Sequence, residues 1–147
     1  MPGQIFYEDA VVGGEITPLV KHPTTRQLVM WAGAASDYNP IHYDKDFAVS
    51  RGLPGVVVHG QLVGCFLGQL LTGWVGKRGR VQKLTCSYKG MNYPEETITC
   101  CGQISRKFEQ NGEHCVECTI WAENPRGERT VTGKAVVVLP VRGNTAS

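Results

Sequence analysis

The sequence carries little net charge: fifteen lysines and arginines and thirteen acidic residues leave a formal charge of +2 over 147 residues. Proteins that bind nucleic acid usually concentrate positive charge on one face, so this balance argues against a nucleic-acid partner. The sequence also lacks internal repeats, low-complexity tracts and a linker-like segment. A chain of this length can bury a substantial core, and we predict one domain over residues 1–147.

The N-terminal residues, "MPGQIFYEDAVVGGE", lack the basic stretch and apolar run of a secretory signal. We therefore expect a cytoplasmic protein whose six cysteines are reduced thiols. The spacing of Cys115 and Cys118, and the adjacent Cys100 and Cys101, could suggest zinc. Both pairs fall in strand-like patterns in which their members point to opposite faces, so we predict packing roles for them. We predict neither a metal nor a cofactor.

A long uninterrupted apolar run is also missing. Residues 52–76 contain no charged residue, and a segment of that length could span a bilayer. It is broken, however, by Pro54, by glycines and by the polar His59, and its continuous apolar part extends only from Leu62 to Trp74. That part is too short to span a membrane. It predicts a helix buried on nearly all sides within a globular domain, with no membrane as partner.

The residues that are present predict helices first and strands afterwards. A short strand over Glu15–Val20 comes before a helix that Thr24 caps and that ends near residues 33–36. Asp44 then caps a shorter helix, and the buried helix begins near Gly60.

Four segments after Gly76 are rich in β-branched residues, tyrosine and cysteine and are separated by turn residues, which predicts an antiparallel meander. A helix that is apolar on nearly all sides has to be covered, and a curved antiparallel sheet can cover it. We therefore predict an α+β domain whose sheet folds about a central helix. The four predicted strands are RVQKLTCSYKG, TITCCGQISRKF, HCVECTIWAEN and RTVTGKAVVVL.

The segment "SDYNPIHYD", residues 36–44, brings an acid and an imidazole into one turn. Pro40 has no backbone N–H and disfavours a helical Asn39, so the segment is a turn that can bring Asp37 and His42 together. One interpretation is structural, with Asp37 and Asn39 forming the turn and His42 as a hydrogen-bonded buried histidine. The other is an acid–base pair, because polar groups beside an uncharged helix have shifted pKa values.

The pair His59-Gly60 is a second candidate site. The first backbone N–H groups of a helix lack partners within it, and a glycine lets another group approach such an N–H closely. Gly60 is therefore a candidate oxyanion donor, or simply a helix-start glycine. Gly60, Gly64 and Gly68 also lie along one helix face, which lets either a strand or an extended ligand lie close to the helix.

The run "WAGAASDYNPIHYDKDFAVSRGLPGVVVHGQL", from Trp31 to Leu62, resembles the MaoC-like, or (R)-specific enoyl-CoA hydratase (hydratase 2), family. It is similar to the family's Asp-x-Asn-Pro-aliphatic-His pattern followed by His-Gly. A weaker likeness extends over nearly the whole chain, and the chain is similar to single-domain (3R)-hydroxyacyl-ACP dehydratase subunits of mycobacterial type. One departure is Ser36, which stands where the family usually has glycine.

The resemblance implies a hot-dog fold, in which a curved antiparallel sheet wraps a long central helix. It also implies Asp37 and His42 as the catalytic pair acting on one water, with the Gly60 N–H facing the thioester oxygen. Among the further site residues that we predict, Asn39 supports the turn. The residues predicted to bind substrate are Asn39, His59 and Gly64.

The activity that the resemblance implies is reversible hydration of (2E)-enoyl thioesters to (3R)-3-hydroxyacyl thioesters, presented on CoA or on acyl carrier protein. It implies a homodimer or higher homo-oligomer whose sheets join. Two alternatives remain at the level of sequence. The chain could be a subunit that needs a second hot-dog chain, or an acyl-CoA thioesterase, although residues 60–76 hold no carboxylate of the kind that many hot-dog thioesterases use.

Overall fold

A computed structural model describes residues 3–143 of the chain. Helical elements precede most of the strands, in the order that the sequence predicts. The helical elements are a 3-10 turn at Tyr7–Asp9, α1 (Thr25–Ala35), a 3-10 turn at Pro40–His42, α2 (Lys45–Ser50) and α3 (Gly60–Val75). The strands are β1 (Glu15–Lys21), β2 (Arg80–Tyr88), β3 (Ile98–Gln110), β4 (Glu113–Glu123) and β5 (Arg129–Val138).

Local sequence signals set the ends of the helices. The Thr24 side chain accepts a hydrogen bond from the Gln27 N–H at 3.2 Å, and the Asp44 side chain accepts one from the Phe47 N–H at 3.0 Å. Both bonds satisfy N–H groups that the first turn of a helix leaves without partners. The C-terminal end of α3 is set by Gly76, whose φ of 71° is one that an L side chain rarely adopts.

The sheet has the order β1-β3-β4-β5-β2, with every neighbouring pair antiparallel. The hairpin between β3 and β4 turns at Asn111 and Gly112, both at positive φ, as a tight hairpin turn requires. The predicted meander was wrong for β2, which pairs with β5 and not with β3. The reason is that β1 occupies the free edge of β3, so β2 lies at the opposite edge of the sheet.

The sheet curves around α3, which contacts all five strands. The buried side of the helix is apolar, and each fully buried leucine or phenylalanine contributes roughly 1.5–3 kcal/mol to stability. This arrangement is a hot-dog fold of the α+β class, as the sequence predicts. The buried residues of the helix are Leu62, Val63, Phe66, Leu67, Leu70, Leu71 and Val75.

The other side of α3 is open, so the prediction of a helix buried on nearly all sides was wrong there. Gln61, Cys65, Gln69, Thr72 and Gly73 are all exposed, because the five strands cover one side of the helix only. Within residues 3–143, no helix is long and apolar enough to cross a membrane.

The glycines of α3 lie against side chains of β2. A Cβ built on Gly60 would lie 3.0 Å from Cδ1 of Tyr88, and one on Gly64 would lie 3.0 Å from the Tyr88 hydroxyl. A Cβ on Gly68 would lie 3.7 Å from Leu84. Residues at alternate positions of a strand share a face, and a helix presents one face at every fourth residue. The glycines therefore allow the edge strand to lie close to the helix.

Candidate active site

The turn after α1 directs Asp37 toward the start of α3. Ser36 ends the helix in the left-handed region, at φ 54° and ψ 32°, and the Asp37 N–H donates to the Ala32 carbonyl at 3.1 Å. The Asn39 N–H then donates to Oδ1 of Asp37 at 3.4 Å, and the Asn39 side chain accepts from the Ile41 N–H at 3.3 Å. Asn39 thus stabilises the turn, and its main-chain bond engages one carboxylate oxygen of Asp37.

The other carboxylate oxygen, Oδ2 of Asp37, lies 3.9 Å from Nε2 of His42. Nδ1 of His42 lies 2.7 Å from the Val57 carbonyl, and a carbonyl only accepts, so Nδ1 carries the proton. In the neutral ring Nε2 is therefore an acceptor that faces a second acceptor. At 3.9 Å the two do not form a direct hydrogen bond, but a water at about 2.8 Å from both could donate to each.

Access to this gap differs between the two side chains. The Asp37 side chain is 36% exposed, whereas the His42 side chain is 9% exposed. A water can therefore reach the pair from the Asp37 side, while the imidazole is held in the protein. The predicted acid and imidazole do converge, which is the geometry that acid–base chemistry on one water requires.

His59 packs against one face of the His42 ring. The two imidazole rings stack, with centroids 3.7 Å apart and planes inclined by 19°, and His59 is only 1% exposed. Nε2 of His59 lies 3.4 Å from the main-chain carbonyl of Asp37, so this nitrogen carries the proton. The buried Nδ1 has no hydrogen-bond partner among the residues that the structure describes. Burial lowers the pKa of His59, and the neighbouring His42 lowers it further, so the ring favours its neutral form.

The Gly60 N–H is an available donor at the start of α3. His59 occupies the N-cap position without a side-chain cap, and no acceptor for the Gly60 N–H lies within the described part of the chain. Gly60 is exposed, and the positive end of the helix dipole lies at this amide. A developing negative oxygen placed here would be stabilised, as in an oxyanion hole.

A groove of about 610 Å³ continues along α3 from this point. Gly64 and Gly68 form its floor, and Leu84, Cys86 and Tyr88 of the edge strand form one wall. Tyr88 is not among the site residues predicted from sequence, although its alternation with Leu84 and Cys86 along β2 is a signal that these side chains share a face. The lining also includes Trp31, Gln61 and Cys65.

A second cavity, of about 660 Å³, lies beside the turn formed by residues 36–44. It is lined by Tyr43, Lys45, Tyr93 and Arg126 among others. Its lining includes neither Asp37 nor His42 nor Gly60. The lining of the groove along α3 also omits these three residues, but it includes Gln61, which follows Gly60 in the chain, and Tyr88, whose ring lies against Gly60. That groove is therefore the better candidate for holding a reacting ligand.

The ligand atoms of Asp37, His42 and His59 lie within 4.8 Å of one another, which raises the question of a metal. The two rings are stacked, and in each ring one nitrogen carries a proton that it donates to a main-chain carbonyl. A metal ion lies near the plane of each imidazole that binds it, and two nearly parallel rings 3.7 Å apart cannot both direct a nitrogen at one ion. Oδ2 of Asp37 and one imidazole nitrogen are therefore what the cluster offers together, fewer than the three protein ligands that catalytic zinc sites use. The described residues form no such group that includes a cysteine.

Comparison with known proteins agrees with this geometry. The sequence model of the MaoC like domain matches residues 11–124. The chain is 30% identical over 112 residues to the fatty acid synthase beta subunit TOXC of Cochliobolus carbonum, covering 73% of this chain but only 5% of that protein. It is 25% identical over 128 residues to the (R)-specific enoyl-CoA hydratase of Aeromonas caviae, covering 86% of this chain and 94% of the hydratase.

Solved structures agree as well. The (R)-hydratase from A. caviae, described as involved in PHA biosynthesis, superimposes with a TM-score of 0.82 at 25% identity, over 90% of this chain and 99% of the hydratase. The ChsH1-ChsH2 complex from Mycobacterium tuberculosis matches with a TM-score of 0.77 at 20% identity, over 88% of this chain and 98% of the matched chain. At that identity the second likeness shows a shared fold.

Proposed function

The chain belongs to the MaoC-like domain family, and from this premise we propose that it catalyses the reversible hydration of (2E)-enoyl thioesters to (3R)-3-hydroxyacyl thioesters. The observation that carries the proposal is the pair of facing acceptors, Oδ2 of Asp37 and Nε2 of His42, 3.9 Å apart. The Gly60 N–H, which has no acceptor among residues 3–143, directly follows the His59 residue whose ring stacks on His42. The named activity of the A. caviae relative supports the same reaction class.

In the proposed hydration, one water lies between Asp37 and His42 and donates a hydrogen bond to each. As the oxygen of the water bonds to C3 of the enoyl group, one of its protons passes to the pair. The π electrons of the C2=C3 bond move toward the thioester, whose oxygen gains negative charge next to the Gly60 N–H. The pair then returns a proton to C2, so that H and OH have been added across the double bond.

The two proton transfers belong to Asp37 and His42 together. Their acceptor atoms share one water, so a proton leaving that water can pass to either of them. In the dehydration direction the same groups remove the C2 proton and protonate the departing hydroxyl. The groove along Gly64 and Gly68 would hold the acyl chain, and its leucine, tryptophan and cysteine side chains suit an aliphatic one.

The proposal is tested with crotonyl-CoA, by following the loss of the ultraviolet absorbance of the enoyl thioester. Asp37→Asn and His42→Ala should each lower kcat about 100-fold or more, the usual size of a general acid–base contribution. Asp46→Asn and His22→Ala, at exposed positions elsewhere, serve as matched controls. Near-normal turnover in both catalytic variants would defeat the assignment, and chiral chromatography should give the (3R) product.

We further propose that the working form is a homodimer joined through β2. In the described part of the chain this edge strand pairs with β5 alone, and Leu84 and Tyr88 are exposed on it beside the open side of α3. An unpaired edge strand is a ready template for pairing with another chain. Light scattering of the purified chain should give twice the monomer mass, and a monomer would contradict this state.

The likeness to a subunit of the ChsH1-ChsH2 complex favours one alternative, in which a second hot-dog chain completes the enzyme. A chain that is inert alone and active after addition of that partner would establish it. Thioester hydrolysis is less well supported, because α3 provides no carboxylate. Release of free thiol from acyl-CoA, detected with a thiol reagent, would reverse that order.

A further inference from the structure

His59 is a buried, titratable ring that the proposed hydration does not use directly. It is 1% exposed, and within residues 3–143 its buried Nδ1 has no hydrogen-bond partner. Burying a polar atom in this way is unfavourable for stability. The ring is almost completely buried against one face of His42, so it can act on the pair through its contact with that imidazole.

Within residues 3–143, the ring stack and the side-chain hydrogen bond of His59 both involve the Asp37–His42 pair. Its ring stacks on His42 at a centroid separation of 3.7 Å, and its Nε2–H donates to the main-chain carbonyl of Asp37 at 3.4 Å. One side chain thus touches the imidazole of the pair and the backbone that carries the carboxylate. The stack limits rotation of the His42 ring, while the hydrogen bond fixes the turn at Asp37.

The same loop also supplies the acceptor for His42. The Val57 carbonyl, two residues before His59, lies 2.7 Å from Nδ1 of His42. Val58 between them is buried, and its N–H donates to the Asn92 carbonyl at 2.8 Å, which anchors the loop. Residues 57–59 therefore form one rigid support that holds the edge of the His42 ring through Val57 and its face through His59.

From these contacts we infer that His59 is a positioning residue, which holds His42 with its proton on Nδ1 and its free Nε2 directed at Asp37. The inference rests on the proposed hydration for its catalytic meaning. If the His42 ring turned about its bond to Cβ, Nδ1 would leave the Val57 carbonyl and Nε2 would leave the water site. His59 prevents this rotation by occupying one face of the ring.

Two variants separate the two contacts. His59→Phe keeps a flat ring for the stack and removes the hydrogen-bond donor, whereas His59→Gln keeps an N–H donor and removes the ring. Mutation of a residue that orients a functional side chain typically lowers activity about 10- to 100-fold. Each variant should therefore lower kcat by about tenfold or more while KM stays within about twofold. His114→Phe, at a half-buried histidine that packs on Tyr7, is the matched control.

A second readout does not depend on activity. Long-range 1H–15N correlation spectra of the histidine rings, recorded above the range in which they protonate, report which nitrogen carries the proton. The wild type should show the proton on Nδ1 of His42 and on Nε2 of His59. His59→Gln should give a mixture of His42 tautomers, and His59→Phe should keep the Nδ1 form.

The outcomes separate this inference from the proposed function. If the wild type hydrates no enoyl thioester but the tautomers follow the expected order, the hydration fails and the positioning role stands. If both His59 variants keep kcat, or leave the His42 tautomer unchanged, the positioning role is overturned. If the variants do not fold, the wild-type spectrum still decides, because a His42 proton on Nε2 would overturn it.

Discussion

The ring of Tyr88 lies so close to Gly60 that a Cβ on this glycine would meet Cδ1 of the ring at 3.0 Å. Tyr88 is 53% exposed, so its ring can shift to make room, but an added methyl group would stand beside the amide proposed to face the thioester oxygen. We therefore predict that Gly60→Ala lowers kcat/KM for crotonyl-CoA by about tenfold or more. Its far-ultraviolet circular dichroism should match that of the wild type, which shows that the variant folds.

Gly73, on the same helix, provides the control. A Cβ there would meet nothing within 4 Å, so Gly73→Ala should leave the activity unchanged and raise the free energy of unfolding by about 0.5–1 kcal/mol. Full activity in Gly60→Ala would remove the amide of Gly60 from the mechanism.

Ser36 takes a conformation that favours glycine, with φ at 54°. A side chain in this left-handed region costs roughly 1 kcal/mol, and glycine, which has no Cβ, avoids that cost. We predict that Ser36→Gly raises the free energy of unfolding by about 0.5–1 kcal/mol and leaves kcat within about twofold, because the turn itself is unchanged. Urea denaturation measures the first quantity, and Ser36→Val should move it the opposite way.

The parts of the fold that sequence could predict are those set by neighbouring residues. Thr24 and Asp44 are short polar residues just before helices, and both form the expected caps. Asn111 and Gly112 tolerate positive φ, and the hairpin turns there. The turn that joins Asp37 to His42 follows from Pro40 in the same way, since a proline restricts its own segment.

The parts that sequence could not predict depend on residues that are distant along the chain. Whether β2 pairs with β3 or β5 depends on which strand takes the edge of β3, and β1 does so. The stack of His59 on His42 joins residues seventeen apart through tertiary packing. Spacing alone could not show this stack, and the substrate contact predicted for His59 stays a prediction.

The buried ring of His59 also makes a prediction about stability. Its pKa is lowered in the folded state, first by burial and then by His42, so below its ordinary value of about 6.5 the unfolded chain binds more protons than the folded one. Stability is then fully present above that pH and is lost as pH falls below it. Between about pH 7.5 and pH 5.5, wild type should lose more unfolding free energy than His59→Phe. Equal losses in urea titrations would contradict this.

The cysteines should differ in reactivity. Cys65 is exposed in the groove, whereas burial raises the pKa of Cys100 and of Cys118 to about 12, which leaves almost no thiolate at neutral pH. N-ethylmaleimide should therefore modify Cys65 first, as mass spectrometry of peptides can show. The adduct should obstruct the groove and lower turnover, and Cys65→Ser should protect against the loss. Complete modification of Cys65 with undiminished turnover would contradict the proposal that the groove along α3 holds the acyl chain.

The match between the glycines of α3 and the side chains of β2 has a consequence for redesign. A side chain at Gly60 or Gly64 meets Tyr88 at 3.0 Å, so reshaping the acyl site from the helix requires this ring to move. Leu84 and Tyr88 are exposed on the edge strand β2, so their size can be changed directly, with the oligomeric state measured alongside because the proposed dimer joins through the same strand. Altered chain-length preference should therefore be sought by varying the strand while the helix is left intact.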